Sequence, residues 1–278
     1  LEVYTQPPKK KNRGQKINFS PIHKYCLQNK IKVRYPKTFD DVDEYNYIKN
    51  LNPDLVVVVA YGKILPKKIL EIKKGSFINI HASLLPKWRG AAPIHRSIMN
   101  LDKETGVSIM QITPKLDSGP ILMKSKVKIK SDTNFENLSK ELAKLGSSII
   151  LKSLELIESR EAKYEEQDES KVSYAKKIKK AEAKIQWKND AKKIIAQINA
   201  LYPNPGSWFE YNGSRLKIIK AKEVEKRGNV GEILSDRFII GCQKNAIQIL
   251  ELQKEGKTKI SIEEYLNGHS LKVGDLVG

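Results

Sequence analysis

Asn79 and His81 stand two residues apart in Phe77-Ile78-Asn79-Ile80-His81-Ala82-Ser83-Leu84-Leu85-Pro86. The apolar, β-branched start of this run predicts a strand over Phe77–His81. A strand sends alternate side chains to opposite faces, so Ile78 and Ile80 share one face and Asn79 and His81 the other. Open α/β sheets gather their ligands outside the carboxyl ends of strands, where this pair would lie. An amide and an imidazole side by side there can bind an oxyanion. The same pair also describes an ordinary polar strand end with His81 satisfied by a backbone carbonyl, and three residues do not decide between the two.

A second element is Lys115-Leu116-Asp117-Ser118-Gly119-Pro120, after a strand expected over residues 106–112. Asp-Ser-Gly is turn chemistry. A loop there can fold back over a neighbouring strand end, where a carboxylate from Asp117 would fix the tautomer of His81 and favour its protonated form. The third element, Lys87 to Arg96, contains Gly90 and places Pro93 where a helix would begin. Backbone amides at such a start favour an anionic or carbonyl ligand. His95 falls inside the expected helix and reads as structural. Cys26 and Cys242 are too far apart for a metal motif or a disulfide framework and read as free thiols.

The elements that must position these groups alternate. Strands are expected near Ile31–Tyr35, over Asp54–Ala60, at Phe77–His81 and at 106–112. The valine run within Asp54–Ala60 is apolar without alternation, as in a parallel strand covered on both faces. Helical spacing follows at Ile64, Leu65, Ile69, Leu70 and Ile72, again over Pro93–Met99, and over 135–158 with Leu138, Leu142, Leu145, Ile149 and Ile150 on one side. Pro, Gly and Asn make 5–21 read as a loop. Strand–helix alternation argues for an α/β fold with a Rossmann-like, doubly wound, mostly parallel sheet. Residues 160–184, dense in Glu and Lys, read as a solvated linker or exposed helix. A helix over Ala191–Ala200 then leads to short strand-like runs at Ser207–Tyr211, Leu216–Ala221, Gly231–Leu234, Phe238–Gly241 and Ala246–Leu252, the pattern of a small β-barrel or sandwich.

The formal net charge is +19. It suits a polyanionic partner held with counterion release, and equally a coding bias toward lysine. No stretch reaches the roughly 18 apolar residues of a membrane helix, and the first residues have no apolar signal-peptide core. A cytoplasmic protein with no membrane partner is expected.

Longer runs carry more than spacing does. AYGKILPKKIL, INIHASLLPKWRGAAPIHRSI and ETGVSIMQITPKLDSGPIL resemble the folate-dependent formyltransferases. The likeness continues through Val172–Ile178, Ala183–Trp187 and Tyr202-Pro203-Asn204-Pro205-Gly206-Ser207-Trp208, and so covers nearly the whole chain. It implies a catalytic domain at 1–162, a linker at 163–183, and an OB-like tRNA-binding barrel at 184–278. It puts Asn79, His81 and Asp117 on the family's catalytic residues and Ser83, Leu84, Leu85 and Pro86 on its folate-contacting segment. The basic loop with Lys9, Lys10, Lys11, Arg13 and Lys16 falls on the loop that contacts the tRNA acceptor end. Ala82 stands where glycine is frequent, and Asn12 where the family commonly has the first glycine of Gly-Arg-Gly. Leu1-Glu2-Val3-Tyr4 resembles the family's second strand, so the sequence reads as N-terminally truncated.

The implied reaction transfers the formyl group of 10-formyltetrahydrofolate to the α-amino group of initiator methionyl-tRNA. A tetrahedral intermediate would be stabilised by Asn79 and His81 with Asp117, without a metal or a covalent nucleophile, in a monomer. Transfer to a sugar-nucleotide amine, hydrolysis of the formylfolate, and nucleic-acid binding without catalysis remain as alternatives.

Overall fold

A computed structural model of the chain describes residues 1–11 and 16–278. They form two compact units. The first comprises Leu1–His81, Ile109–Leu122 and Lys163–Gln167, and the second Ala82–Ser108, Met123–Ala162 and Asp168–Gly278.

The chain begins with strands β1 (Glu2–Tyr4), β2 (Lys9–Lys11) and β3 (Lys16–Asn18). Helix α1 (Pro21–Gln28), strand β4 (Lys32–Arg34), helix α2 (Val42–Leu51), strand β5 (Val56–Val59), helix α3 (Lys67–Leu70) and strand β6 (Phe77–His81) follow. Next come β7 (Arg89–Gly90), α4 (Pro93–Met99), β8 (Glu104–Gln111), β9 (Ile121–Lys128) and α5 (Phe135–Glu158).

Helix starts follow their caps. The Ser20 side chain accepts from the His23 N–H with Pro21 in the first turn, and Asp41 accepts from the Asp43 N–H to open α2. Asn134 does the same for α5, which buries Leu138, Leu142, Gly146, Ile149 and Ser153 along one stripe.

In the first unit β1 pairs with β4 and β5 with β6, both parallel. Beside β5 and β6 this unit holds the end of β8 and the start of β9, within Ile109–Leu122. The Ile112 N–H donates to the Phe77 carbonyl at 2.8 Å and the Gln111 N–H to the Pro120 carbonyl at 2.9 Å. A loop as short as 112–120 returns β9 beside β8 as a hairpin, so antiparallel strands extend the parallel pair and the sheet is mixed. Phe39, Ile48, Ile69, Leu70 and Phe77 form the local core, with Tyr4, Val56 and Tyr61 packed on it.

Three expectations need correcting in this unit. Strand β5 is not covered on both faces here: Val57 and Val59 are 40% and 57% exposed, while Val56 and Val58 on the other face are half-buried. The helix expected from Ile64 is only the short α3, because Pro66 disfavours helical backbone before it. The stretch 5–21 is not all loop, since β2 and β3 pair antiparallel, Lys9 opposite Asn18. Backbone pairing of this kind tolerates the lysine run, which the composition hid.

The second unit carries the barrel. After β10 (Tyr174–Ala175) and α6 (Ala191–Leu201) come β11 (Ser207–Tyr211), β12 (Ser214–Val224), β13 (Ile233–Ser235), β14 (Ile239–Gly241), β15 (Ala246–Lys254), β16 (Lys259–Ser261) and α7 (Ile262–Leu266). The antiparallel order is β11-β12-β15-β14-β13 with β16 on β15, a curled sheet of the expected OB-like kind. Its core packs Phe209, Phe238, Ile247 and Leu252 against Ile194 and Ile198 of α6. The edge-to-face rings of Phe209 and Phe238 lie 5.9 Å apart. Residues 160–184 contain no α-helix. Instead Glu165 bridges Ile121, β10 runs parallel to β7, and 3₁₀ turns form at Glu169–Lys171 and Lys180–Ala183. Among the described residues no helix is long and apolar enough to cross a membrane.

Candidate active site

Strand β6 places Asn79 and His81 on one face by its period of two, as the sequence predicts. Phe77 and Ile78 anchor the strand in the core, Asn79 is half-buried, and His81 is buried at 6% exposure. A polar ring this deep sits in a low dielectric, where a nearby charge acts strongly on it.

That charge comes from the loop after β8. Asp117 Oδ2 lies 3.7 Å from His81 Nδ1. The loop is held in several ways. The Thr113 and Ser118 hydroxyls are 3.0 Å apart, and the Ser118 hydroxyl donates to the Lys115 carbonyl at 3.1 Å. Asp117 itself takes a left-handed backbone conformation, φ +45°, which Asp tolerates better than most residues. At Gly119 a side chain is excluded: a Cβ would stand 2.0 Å from the Gln111 carbonyl oxygen. The loop therefore closes tightly enough to return Asp117 to the end of β6.

Gln167 is a residue that sequence reasoning missed. Its amide nitrogen donates to the carbonyls of Asp117 and Gly119 at 2.9 and 2.7 Å. It lies in a Glu- and Lys-rich stretch that reads as solvated, and no local pattern signals a contact with a loop so far back in the chain.

Ser83, Leu84, Leu85 and Pro86 lie in the second unit. Ser83 is buried and its hydroxyl donates to the Lys87 carbonyl at 2.6 Å. Ser108 Oγ donates to the Ser83 carbonyl at 2.7 Å and accepts from the Leu85 N–H at 3.1 Å. Leu85 is buried as well, which leaves Leu84 and Pro86 half-buried. Lys9 is exposed on β2, Lys10 and Lys11 share that strand, and Lys16 opens β3. Arg13 falls in residues 12–15, outside the described residues.

The Lys87–Arg96 loop leads into α4, which begins at Pro93 where its sequence suggests. The Ala91 and Ala92 N–H groups both donate to the Ala175 carbonyl, at 2.9 and 3.2 Å, so these donors are engaged by β10. The remaining side chains serve the fold. Trp88 Nε1 donates to Asp102 at 2.7 Å, the fully buried Arg89 pairs with Glu169 at 2.7 Å, and Arg96 binds Glu182 through two bonds of 2.6 and 3.1 Å. Arg96 holds the Glu182 carboxyl below its usual range against some desolvation. His95 stacks on Phe135 at 4.1 Å, and burial, helped by Arg96, pushes its pKa down. Both cysteines are buried and free, and burial pushes the Cys242 thiol up to about 12.

A separate feature lies on the barrel side of the second unit. A groove of about 620 Å³ is lined by Lys180, Trp208, Arg215, Lys217 and Lys254, with one carboxylate, Glu255. The Arg215 guanidinium lies 3.9 Å from the centre of the Trp208 ring, and Lys184 Nζ approaches the same ring at 5.5 Å. Cations around an aromatic face suit a phosphate backbone with unstacked bases.

Comparison with known proteins places this arrangement. The formyl transferase family model matches residues 1–154 and the formyl transferase C-terminal domain model residues 177–270. The chain is 48% identical over 277 residues to a methionyl-tRNA formyltransferase of Pelagibacter ubique, covering 99% of this chain and 89% of that one. It is 41% identical over 282 residues to the methionyl-tRNA formyltransferase of Caldanaerobacter subterraneus, covering 100% and 91%. Among solved structures, WlaRD, a sugar 3N-formyl transferase crystallised with dTDP and 5-N-formyl-THF, aligns at a TM-score of 0.69 and 25% identity over 92% of this chain and 88% of that one. HypX from Aquifex aeolicus in complex with tetrahydrofolic acid shares the fold at a TM-score of 0.63 and 19% identity over 87% and 44%. Matched by both family models in order and closely similar to such relatives along almost its whole length, the chain belongs to the formyl transferase family, among the methionyl-tRNA formyltransferases.

Proposed function

We propose that this protein transfers the formyl group of 10-formyltetrahydrofolate to the α-amino group of initiator methionyl-tRNA, in the cytoplasm. The observation that carries the reading is the buried His81 with the Asp117 carboxylate 3.7 Å from its Nδ1, on the strand that also presents Asn79.

In this reading the neutral amine attacks the formyl carbon and negative charge grows on the formyl oxygen. The Asn79 amide donates to that oxygen, and His81 supplies a second donor. Preorganised donors of this kind contribute about 3–4 kcal/mol each to the transition state. Asp117 orients the imidazole and accepts the proton the amine loses, directly or through water. The new N–C bond forms first and gives a tetrahedral intermediate; its collapse breaks the bond from the formyl carbon to N10 of the folate, and that nitrogen takes up the proton. The products are formylmethionyl-tRNA and tetrahydrofolate.

The half-buried Leu84 and Pro86 suit the flat apolar body of the folate, while Ser83 and Leu85 keep the segment rigid beneath them. Lys9, Lys10, Lys11, Arg13 and Lys16 would meet the acceptor end, and the Trp208–Arg215 groove would hold a further part of the tRNA. We assign catalysis to 1–162, connection to 163–183 and tRNA binding to 184–278, with a monomer as the working form. Supplying the protein with formylfolate and, in turn, methionyl-tRNA, a sugar-nucleotide amine and no acceptor tests the reading: labelled methionyl-tRNA supports it, and labelled sugar or free formate alone replaces it.

A further inference from the structure

We propose that Gln167 is a positioning residue for formyl transfer, holding the Asp117 loop in the geometry that presents its carboxylate to His81. The inference rests on the function proposed above and assigns a role to a residue outside the Asn79, His81 and Asp117 set.

Three observations carry it. First, the side chain is built in: Gln167 is only 8% exposed, and its amide nitrogen directs its two hydrogens at the carbonyls of Asp117 and Gly119, at 2.9 and 2.7 Å. These carbonyls flank Ser118, so one side chain spans the turn that carries the carboxylate. Second, the position of Gln167 is set by backbone pairing. Glu165 and Ile121 exchange N–H to carbonyl bonds of 2.9 and 2.8 Å in an antiparallel bridge. Two residues further along each strand, that register brings Gln167 opposite Gly119. Third, the loop needs holding. Asp117 has a positive φ, a conformation that persists in a non-glycine residue when its surroundings over-determine it. Removing the amide would leave two loop carbonyls without these donors and let the Asp117 backbone relax toward commoner conformations.

The chemistry requires a carboxamide. Glu is nearly isosteric but has no N–H, and an ionised carboxylate beside two carbonyl oxygens repels them. Both Gln167→Ala and Gln167→Glu should therefore loosen the loop, while a role confined to packing would be lost only in the alanine variant.

The test is steady-state kinetics of Q167A, Q167E, D117N and the doubles Q167A/D117N and Q167E/D117N, each checked by its melting temperature. We expect Q167A and Q167E to lower kcat by about 10–30-fold, equivalent to about 1.4–2 kcal/mol of barrier, with KM for both substrates within about twofold. In the D117N background the same changes should lower kcat by less than about twofold, because a residue that acts through Asp117 has nothing left to position. Wild-type kcat in Q167E, a loss confined to KM, or a loss that multiplies fully with D117N would overturn the inference. If Q167A does not fold, Q167E and its double carry the same comparison. Absence of formyl transfer by the wild-type protein would instead overturn the proposed function, and wild-type activity of D117N would remove Asp117 itself.

Discussion

Asp117 Oδ2 lies 3.7 Å from Nδ1 of His81, although His81 ends β6 and Asp117 lies in the loop after β8, with β7, α4 and β8 between them in the chain. A turn closed by Gly119 against the Gln111 carbonyl makes the approach possible. The carboxylate acts on a buried ring, and replacing it by an amide keeps the shape while removing the charge. D117N should keep the wild-type melting temperature within a few degrees and lose about 100-fold or more in kcat. Retained turnover would detach Asp117 from the reaction.

Asn79 and His81 should each matter for turnover more than for binding. N79A and H81A are expected to lower kcat by roughly 100-fold or more, the effect of losing one preorganised donor. Affinity for tRNA, measured by filter binding, should stay within about threefold of wild type. A variant that lost affinity and kept kcat would place that residue in recognition.

The barrel groove predicts a different signature. W208A and R215A should raise KM for tRNA, with kcat on bound tRNA little changed. R215A and K217A should each lower the slope of log affinity against log salt by about one, as expected for one lost phosphate contact. Arg13→Ala should likewise reduce kcat/KM for tRNA. Unchanged tRNA kinetics in all four variants would reduce the +19 charge to a compositional feature.

The Arg96–Glu182 pair makes a pH-dependent contribution to stability. Its two bonds hold the Glu182 carboxyl below its usual range. A depressed carboxylate stabilises the fold above the ordinary glutamate pKa, and that stabilisation is lost as pH falls through the folded value. Glu182→Gln should cost about 1–2 kcal/mol near neutrality, a charge-assisted bond discounted for partial exposure. The gap to wild type should close in acid. A gap that stayed constant with pH would assign the effect to packing.

Much of this site is legible in the amino-acid sequence. The period-two pattern in Phe77–His81 puts Asn79 and His81 on one face, and the short runs after Ser207 mark the barrel strands. Local patterns are readable because strand geometry acts over a few residues. The approach of Asp117 to His81 is not local: turn chemistry allows it, and the likeness of longer runs is what singles it out. Gln167 is hidden for the same reason: its partners lie near residue 118, and its own neighbourhood is charged and reads as solvent-facing. The exposed valines of β5 mislead because an apolar run specifies a strand and says nothing of which neighbours cover it.

Transfer of labelled formyl from 10-formyltetrahydrofolate to purified initiator methionyl-tRNA tests the central claim most directly, with H81A measured beside the wild-type protein. The account predicts acid-stable label on methionine with the wild type and about 100-fold slower labelling with H81A. Folate turnover that leaves methionine unlabelled, or equal rates from the two proteins, would contradict it.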